Sequence, residues 1–564
     1  MILCGKNNSI AENRITVLEK ELGRKPNIII ILTDQQREVR DFPAPWVEEN
    51  LKSLKRLQKN GITYSRSYTN TSPCWANRGV AMSGLYPLVS QTCAFDSSLS
   101  PSLSNFPKVM KEAGYKTYYK GKWHLNAVSD AFAHTWPTES NNKETAIKED
   151  GDMLKLYGLE GWTSPDAGTS LVKLGSKEAI GTNLGGGIGT NDERVITGKG
   201  LLAPGNQESV IDFLKAHAND EEPYCLFISL VNPHDISVFP DAASAKEFGY
   251  PLKNVENYEG FKCPESYEKD DLSTKPSCQA YFLNSFDGGK MNAETALDYL
   301  KLYAYMTAEA DKLIGLALDA MTDEQVRNSV ILRTADHGEM GAAHGGLREK
   351  MEQIYEESVN IPLIISNPIL FPEPVVCDEL VSQIDLIPTI AEIIGLDPVK
   401  TGNKFLLQGK SVAQTISDPK LETYEGVLFN YYSTGKQTEA PANLICAVFT
   451  KQFKYGVYFA PLNGWPTAQT YPDMTDGDIN RVYQVDKRED VKAYKNDEWY
   501  PVVDLSSVQF EMYDLKNDKY ELTNLLYGDI SKETSETQVE LHALLTHLLM
   551  KNNSLPIGWL DIQF

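Results

Sequence analysis

Asn27–Thr33 reads NIIIILT, five branched apolar residues in unbroken succession between an asparagine and a threonine. A strand solvated on one face alternates polar and apolar side chains. Continuous hydrophobicity instead marks a strand buried on both faces, the pattern of a parallel sheet covered by helices. Three further runs repeat it: Tyr224–Val231 (YCLFISLV), Ser329–Thr334 (SVILRT) and Ile361–Ser366 (IPLIIS). Between them lie stretches with helical spacing of apolar residues at Val47–Lys59, Phe106–Ala113, Ser209–Ala218, Ala293–Met321 and Leu386–Ile394. Strands alternating with helices predict an α/β domain built on a doubly wound sheet.

A single core rarely grows beyond roughly 250–300 residues, so a chain of 564 is expected to carry a second, smaller unit. The pattern changes at about Glu439 to short strand-like pieces (AVFT, KYGVYF, FEMYDL) followed by an amphipathic helix at Thr537–Met550. The expected division is an N-terminal extension at 1–24, a main domain at 25–438 and a small α+β domain at 439–564. The stretch Asn126–Gly205 is poor in periodicity and rich in glycine. A connection that long inside a compact domain is functional or disordered.

Lys and Arg number 54 against 77 Asp and Glu, a formal net charge of −23. The long-range field therefore repels nucleic acid and anionic membrane surfaces, and neither is expected as a partner. An anionic substrate would need positive charge concentrated at its site. Met1–Lys25 has only a four-residue apolar start, and no later run reaches the ~18 apolar residues of a membrane span, so a soluble, cytoplasmic protein is expected. The eight cysteines show no CxxC spacing and are expected to be reduced thiols.

Ligands of such sheets bind where the strands end. Asp34 and Gln35 follow the first run, His234 and Asp235 the second, and Asp336 and His337 the third. Carboxylate, amide and imidazole groups thus meet from three distant segments, as a divalent cation requires. A fourth segment, Thr71–Gly84, reads TSPCWANRGVAMSG and sets Cys74 four residues before Arg78 near an expected helix start.

This segment resembles the signature of the type I sulfatases of the alkaline phosphatase superfamily. That signature is Cys or Ser, any residue, Pro or Ala, any residue, Arg, then a small residue and Gly. Here it is Cys74-Trp75-Ala76-Asn77-Arg78 followed by Ser83-Gly84, with Ala76 and Asn77 where the commonest form has Pro and Ser. Further blocks run in sulfatase order: KPNIIIILTDQQR from Lys25, EAGYKTYYKGKWH from Glu112, NPHD from Asn232, TADHGEMGAAHGGLREKMEQIYEES from Thr334, VSQIDLIPTIAEIIGL from Val381 and EMYDLKNDKYELTNL from Glu511. The resemblance implies an alkaline-phosphatase-like fold, a doubly wound mixed sheet sandwiched by helices, with a small C-terminal α+β domain.

It also implies chemistry. The nucleophile would be Cys74 after oxidation to formylglycine (3-oxoalanine) by a maturation enzyme, and the substrate a small anionic sulfate ester. Asp34, Gln35, Cys74, Asp336 and His337 match the family's metal positions, and Gln35 has the alternative role of capping the following turn. Oxygen-rich ligation favours Ca²⁺, while the imidazole admits Mn²⁺ or Zn²⁺. Arg78, Lys122 and Lys350 match the cations that hold the formylglycine and the sulfate oxygens. His124 and His234 would bind sulfate or protonate the leaving oxygen, with His234 favoured as the acid. His344 and Arg348 are candidates to line the same pocket, and Trp75 to form its wall. Gln35 and His337 depart from the common sulfatase pattern of Asp-Asp and Asp-Asn, and the Asp-Gln and Asp-His pairs resemble those of choline sulfatases and of phosphonate monoester hydrolases and phosphodiesterases of the superfamily. Lys122 and His124 of GKWH favour sulfate esters.

Overall fold

The computed structural model describes residues 13–93, 97–125, 151–163, 191–199, 207–239, 252–285, 289–432, 441–462 and 500–564. Cys4, half of the 1–24 extension and most of the Asn126–Gly205 stretch lie outside the described residues.

The main domain contains β1 (Asn27–Asp34), β2 (Gly61–Tyr64), β3 (Ser67–Tyr68), β4 (Lys116–Gly121), β5 (Leu159–Thr163), β6 (Tyr224–Pro233), β7 (Ser329–Ala335), β8 (Leu363–Ser366) and β9 (Val375–Cys377). All but β3 form one sheet in the order β5-β4-β6-β1-β7-β8-β2-β9, and β3 pairs instead with β10 (Val381–Ser382). From β5 to β7 every pairing is parallel. The run at Ile361–Ser366 differs from the parallel reading, because β8 is antiparallel to both β7 and β2. The sheet is therefore mixed and doubly wound, as the resemblance implied.

The isoleucine run of β1 explains the layering. Ile28 and Ile30 join Phe227, Val330 and Leu332 in one core, while Ile29 and Ile31 join Leu226, Ile228 and Ile331 in the other. Residues of period two thus feed opposite faces, and each face is closed by helices. Arg14–Leu22, Phe106–Glu112 and Leu386–Ile393 cover the first; Lys52–Lys59, Val210–Ala216 and Ala293–Asp319 cover the second. The Arg14–Leu22 helix buries Ile15 and Leu18 in the first core, so this part of the extension is integral to the domain. The stretch Val47–Lys59, read as one helix, is two helices, Ala44–Asn50 and Lys52–Lys59, separated where Leu51 leaves helical geometry (φ −105°, ψ 57°).

A second, antiparallel sheet runs in the order β11 (Val427–Tyr431), β12 (Leu444–Phe449), β13 (Phe453–Phe459), β14 (Gln509–Asp514). It begins at Val427, ahead of the boundary expected at 439. The helix Lys532–Lys551 packs Leu541, Leu545 and Leu549 against Leu444, Cys446 and Val448 on one face. On the other face Ile445, Ala447 and Tyr458 meet Tyr68, Ile354 and Val359 of the main domain. All seven described cysteines are free thiols, and only Cys263 is not buried. Among the described residues no helix is long and apolar enough to cross a membrane.

Candidate active site

Two carboxyl ends of the large sheet meet one helix start. Asp34 ends β1, Asp336 and His337 follow β7, and Cys74 is the first residue of the helix Cys74–Ser83, every residue of which is buried. The unpaired N–H groups of that first turn favour negative charge beside residue 74. Cys74 Sγ lies 3.1 Å from His337 Nε2 and 3.5 Å from Asp34 Oδ1. Arg78 is one helical turn on. Its guanidinium reaches Asp336 Oδ2 and Asp34 Oδ2 at 3.0 Å each, and donates to the Lys122 carbonyl at 2.8 Å and Ser229 Oγ at 2.9 Å. One planar cation therefore ties the ends of β1, β4 and β7 to the middle of β6.

The donors suit a divalent cation. Ligand atoms of Asp34, Cys74, Asp336 and His337 all lie within 4.8 Å of one another. Burial alone would raise the Asp34 carboxyl, but Lys122, His234, Arg78 and His337 together hold it well below its usual range. Burial pushes the His337 imidazole below its ordinary range, against the pull of Asp336 and Asp34. Its Nδ1 faces the Gly338 carbonyl at 2.9 Å, which places the proton there and leaves the Nε2 lone pair facing the carboxylates. Gln35, in a left-handed conformation (φ 66°), gives its backbone N–H to Asp336 Oδ1 at 3.0 Å. Its side-chain Nε2 donates to Glu339 at 2.5 Å, so Oε1 is turned the other way and accepts from Lys350 Nζ at 2.7 Å, leaving one lone pair for a cation.

Positive charge gathers here against the molecule's acidic field. Lys122 Nζ is 2.6 Å from Asp34 Oδ2, has no aligned hydrogen-bond acceptor among the described residues, and is wholly buried. Lys350 Nζ pairs with Glu349 at 2.7 Å, and that attraction overcomes the penalty of burial to hold its proton firmly. Gly121 makes the approach of β4 possible. With φ 100° and an added Cβ only 1.9 Å from the Ser229 carbonyl, it admits no side chain. His234 follows β6 and is half-buried; its Nδ1 has no hydrogen-bond partner among the described residues. Burial, then Lys122 and Lys350, push its imidazole well below the usual range against the pull of Asp34. His124 (φ 56°) sets its ring edge-on to Trp75, centroids 5.9 Å apart.

The structure thus brings Asp34, Gln35, Cys74, Arg78, Lys122, Asp336, His337 and Lys350 into one contact network, with His234 inside its electrostatic field. It does not bring His344 there. His344 Nδ1 pairs with Asp270 at 2.5 Å and its ring stacks on Tyr355 at 3.5 Å. Arg348 donates to the Phe239 carbonyl at 3.1 Å. Sequence reading missed Ser229, Glu339 and Glu349. It also missed Tyr303, whose hydroxyl donates to the Gln35 carbonyl at 2.7 Å, and Tyr299, which donates to Glu339 at 2.7 Å.

Comparison with known proteins gives consistent matches. The Sulfatase family model matches residues 26–396, and the family described as N-sulphoglucosamine sulphohydrolase, C-terminal, matches residues 346–499. The uncharacterized sulfatase YidJ of Escherichia coli is 26% identical across 66% of this chain and 69% of its own. Arylsulfatase K of Canis lupus familiaris is 22% identical across 66% of this chain, a match spanning 63% of that relative's length. The ulvan-active sulfatase of Formosa agariphila is 23% identical across 78% of this chain and 74% of its own. Among solved structures, a 2-O GAG sulfatase superposes with a TM-score of 0.62 at 16% identity, covering 96% of this chain and 94% of that one. The phosphonate monoester hydrolase of Silicibacter pomeroyi gives 0.60 at 17% identity, covering 94% and 96%. At these identities the structural likenesses speak for the fold alone.

Proposed function

This chain belongs to the sulfatase family, and from that premise we propose that it hydrolyses a sulfate monoester with a nucleophile made by oxidising Cys74 to formylglycine. The observation that carries the reading is the position of Cys74 Sγ, at a buried helix start, 3.1 Å from His337 Nε2 and 3.5 Å from Asp34 Oδ1. Asp34, Gln35, Asp336 and His337 would hold one divalent cation, with Ca²⁺ favoured by the oxygen donors. Such a cation supplies Lewis acidity and lowers the pKa of a hydroxyl beside it. The hydrated aldehyde would supply two hydroxyls on one carbon, one to attack sulfur and one to lose the proton whose departure releases sulfate.

The remaining work falls to side chains already in place. Arg78 locks the two carboxylates, so residue 74 meets a fixed environment. Lys122 and Lys350 offer ammonium groups to the sulfate oxygens and stabilise the charge that develops on them. Burial depresses His234, and the same two cations add to it. A sulfate bound between them brings negative charge that raises the imidazole's proton affinity, so His234 gains a proton as substrate enters and passes it to the bridging oxygen. His124 and Trp75 border the pocket. The ulvan-active and GAG-sulfatase relatives make sulfated saccharides the first natural substrates to test. A maturation enzyme that oxidises Cys74 would be a protein partner.

The second reading, a phosphonate monoester or phosphate diester hydrolase, draws on the Asp34-Gln35 and Asp336-His337 pairs and on the phosphonate hydrolase neighbour. Measuring kcat/KM for an aryl sulfate, a phosphate diester and a phosphonate monoester separates the two. Preference for the sulfate is expected, and preference for either phosphorus ester overturns it.

A further inference from the structure

The register between β1 and β6 slips beside the active site. Leu230 pairs with Thr33, but the next pair is Pro233 with Asp34, so Val231 and Asn232 bulge out of the ladder. A bulge removes backbone N–H groups from their strand partners and re-aims the chain that follows. Here the chain that follows is His234. The freed groups are not left in the apolar interior. Asp192 Oδ1 accepts the Val231 N–H at 2.7 Å, and Asp192 Oδ2 accepts both the Asn232 N–H and Asn232 Nδ2 at 2.9 Å each.

Asp192 belongs to the helix Asn191–Thr197 and is wholly buried. Val195 and Ile196, one turn on, sit in the core on the sheet's second face, so the carboxylate is anchored to the same sheet whose bulge it binds. Burial pushes the Asp192 carboxyl up, and the hydrogen bonds from the bulge together with the ammonium of Lys122, which pairs with Asp34, offset part of that rise.

We infer that Asp192 is a positioning residue for the reaction. By accepting three N–H groups of the β6 bulge it sets the place of His234 relative to Asp34 and Lys122. The inference rests on the reading of His234 as the acid for the leaving oxygen. Replacing Asp192 by Asn turns one acceptor oxygen into a donor facing Asn232, so the bulge must move and His234 with it.

A proton donor matters most when the leaving group is a poor one, and this gives a readout that a merely structural role would not move. Asp192→Asn, Asn232→Ala, His234→Ala and the double variant Asp192→Asn/His234→Ala are compared on 4-nitrophenyl sulfate and 4-methoxyphenyl sulfate. General acid catalysis contributes about 10²–10⁴-fold. Asp192→Asn is expected to forfeit roughly 10–100-fold of it in kcat/KM on the methoxyphenyl ester, with less than ~3-fold lost on the nitrophenyl ester. The double variant should be no slower than His234→Ala. Equal losses on both esters, or multiplying losses in the double variant, overturn the inference. If His234→Ala is itself indifferent to the leaving group, the assignment of His234 fails, and the double variant alone decides whether Asp192 acts through it. If Asp192→Asn does not fold, Asn232→Ala, which removes one bond of the three, must show the same skew in smaller measure or the inference falls.

Discussion

Arg78→Ala would remove the cation that ties the site together, and the structure sets the scale of the loss. Asp34 and Asp336 are both wholly buried, and each holds Arg78 at 3.0 Å. After the substitution Asp34 keeps Lys122 at 2.6 Å, but among the described residues Asp336 keeps only the backbone N–H groups of Gln35 and His337 and the His337 ring nitrogen at 3.7 Å. Breaking a buried pair by deleting one partner costs about 3–5 kcal/mol, because the surviving charge stays desolvated. The Lys122 carbonyl and Ser229 Oγ lose a donor as well, which keeps the expectation at the upper part of that range. Arg78→Lys should recover part of the loss, since an ammonium restores the charge but not the planar fork that spans two carboxylates. Urea unfolding followed by tryptophan fluorescence gives the differences from midpoint and slope. A loss below about 1 kcal/mol for Arg78→Ala would be in the range of an exposed pair and would refute the claim that this guanidinium holds the carboxylates.

Three other expectations follow from the same geometry. Burial opposes protonation of His344, yet the hydrogen bond to Asp270 and the Glu357 carboxylate 3.4 Å from Nε2 raise it from 6.5 to about 9. That contribution, on the order of 3 kcal/mol, is complete below the unfolded value and is lost as pH rises through about 9. The melting temperature should therefore fall between neutral pH and pH 9 in the wild type and much less in His344→Gln, and equal slopes would contradict the pairing. Gly121→Ala, which forces a Cβ to 1.9 Å from the Ser229 carbonyl, should displace β4 from β6 and abolish turnover; unchanged kcat would contradict the register. Chelation should lower the melting temperature, and restoring a cation to 100 times its Kd should return about 2.7 kcal/mol. An indifferent melting curve, with Ca²⁺, Mn²⁺ and Zn²⁺ alike, would show that these donors hold no metal.

Sequence alone exposed what lies next to a strand end or inside a short motif. The run Ile28–Leu32 announces a strand buried twice over, and Asp34, Asp336 and His337 are legible because the chain has just left such a strand. β4 was passed over because its sequence, KTYYKG, interleaves lysines with tyrosines. Its Lys120 is nonetheless buried, with its ammonium on Glu208 at 3.2 Å. Residues that act across the fold carried no local signal. Gln35 and Glu339 are 304 positions apart, and Ser229 is one small residue within an apolar strand. The closeness of His344 to Lys350 in sequence makes it read as a pocket residue. Gly345 and Gly346, with φ 73° and 102°, turn the chain so that His344 faces Asp270 and Glu357 instead. Asp192 stands just after a glycine-rich stretch where neither spacing nor periodicity gave it a role.

The central claim concerns a single side chain. Mass spectrometry of the peptide containing Cys74, from protein purified out of its native host and active on a sulfate ester, tests it most directly. The account expects residue 74 to be lighter than cysteine by the difference between CH₂SH and an aldehyde. An intact thiol in fully active protein would contradict it.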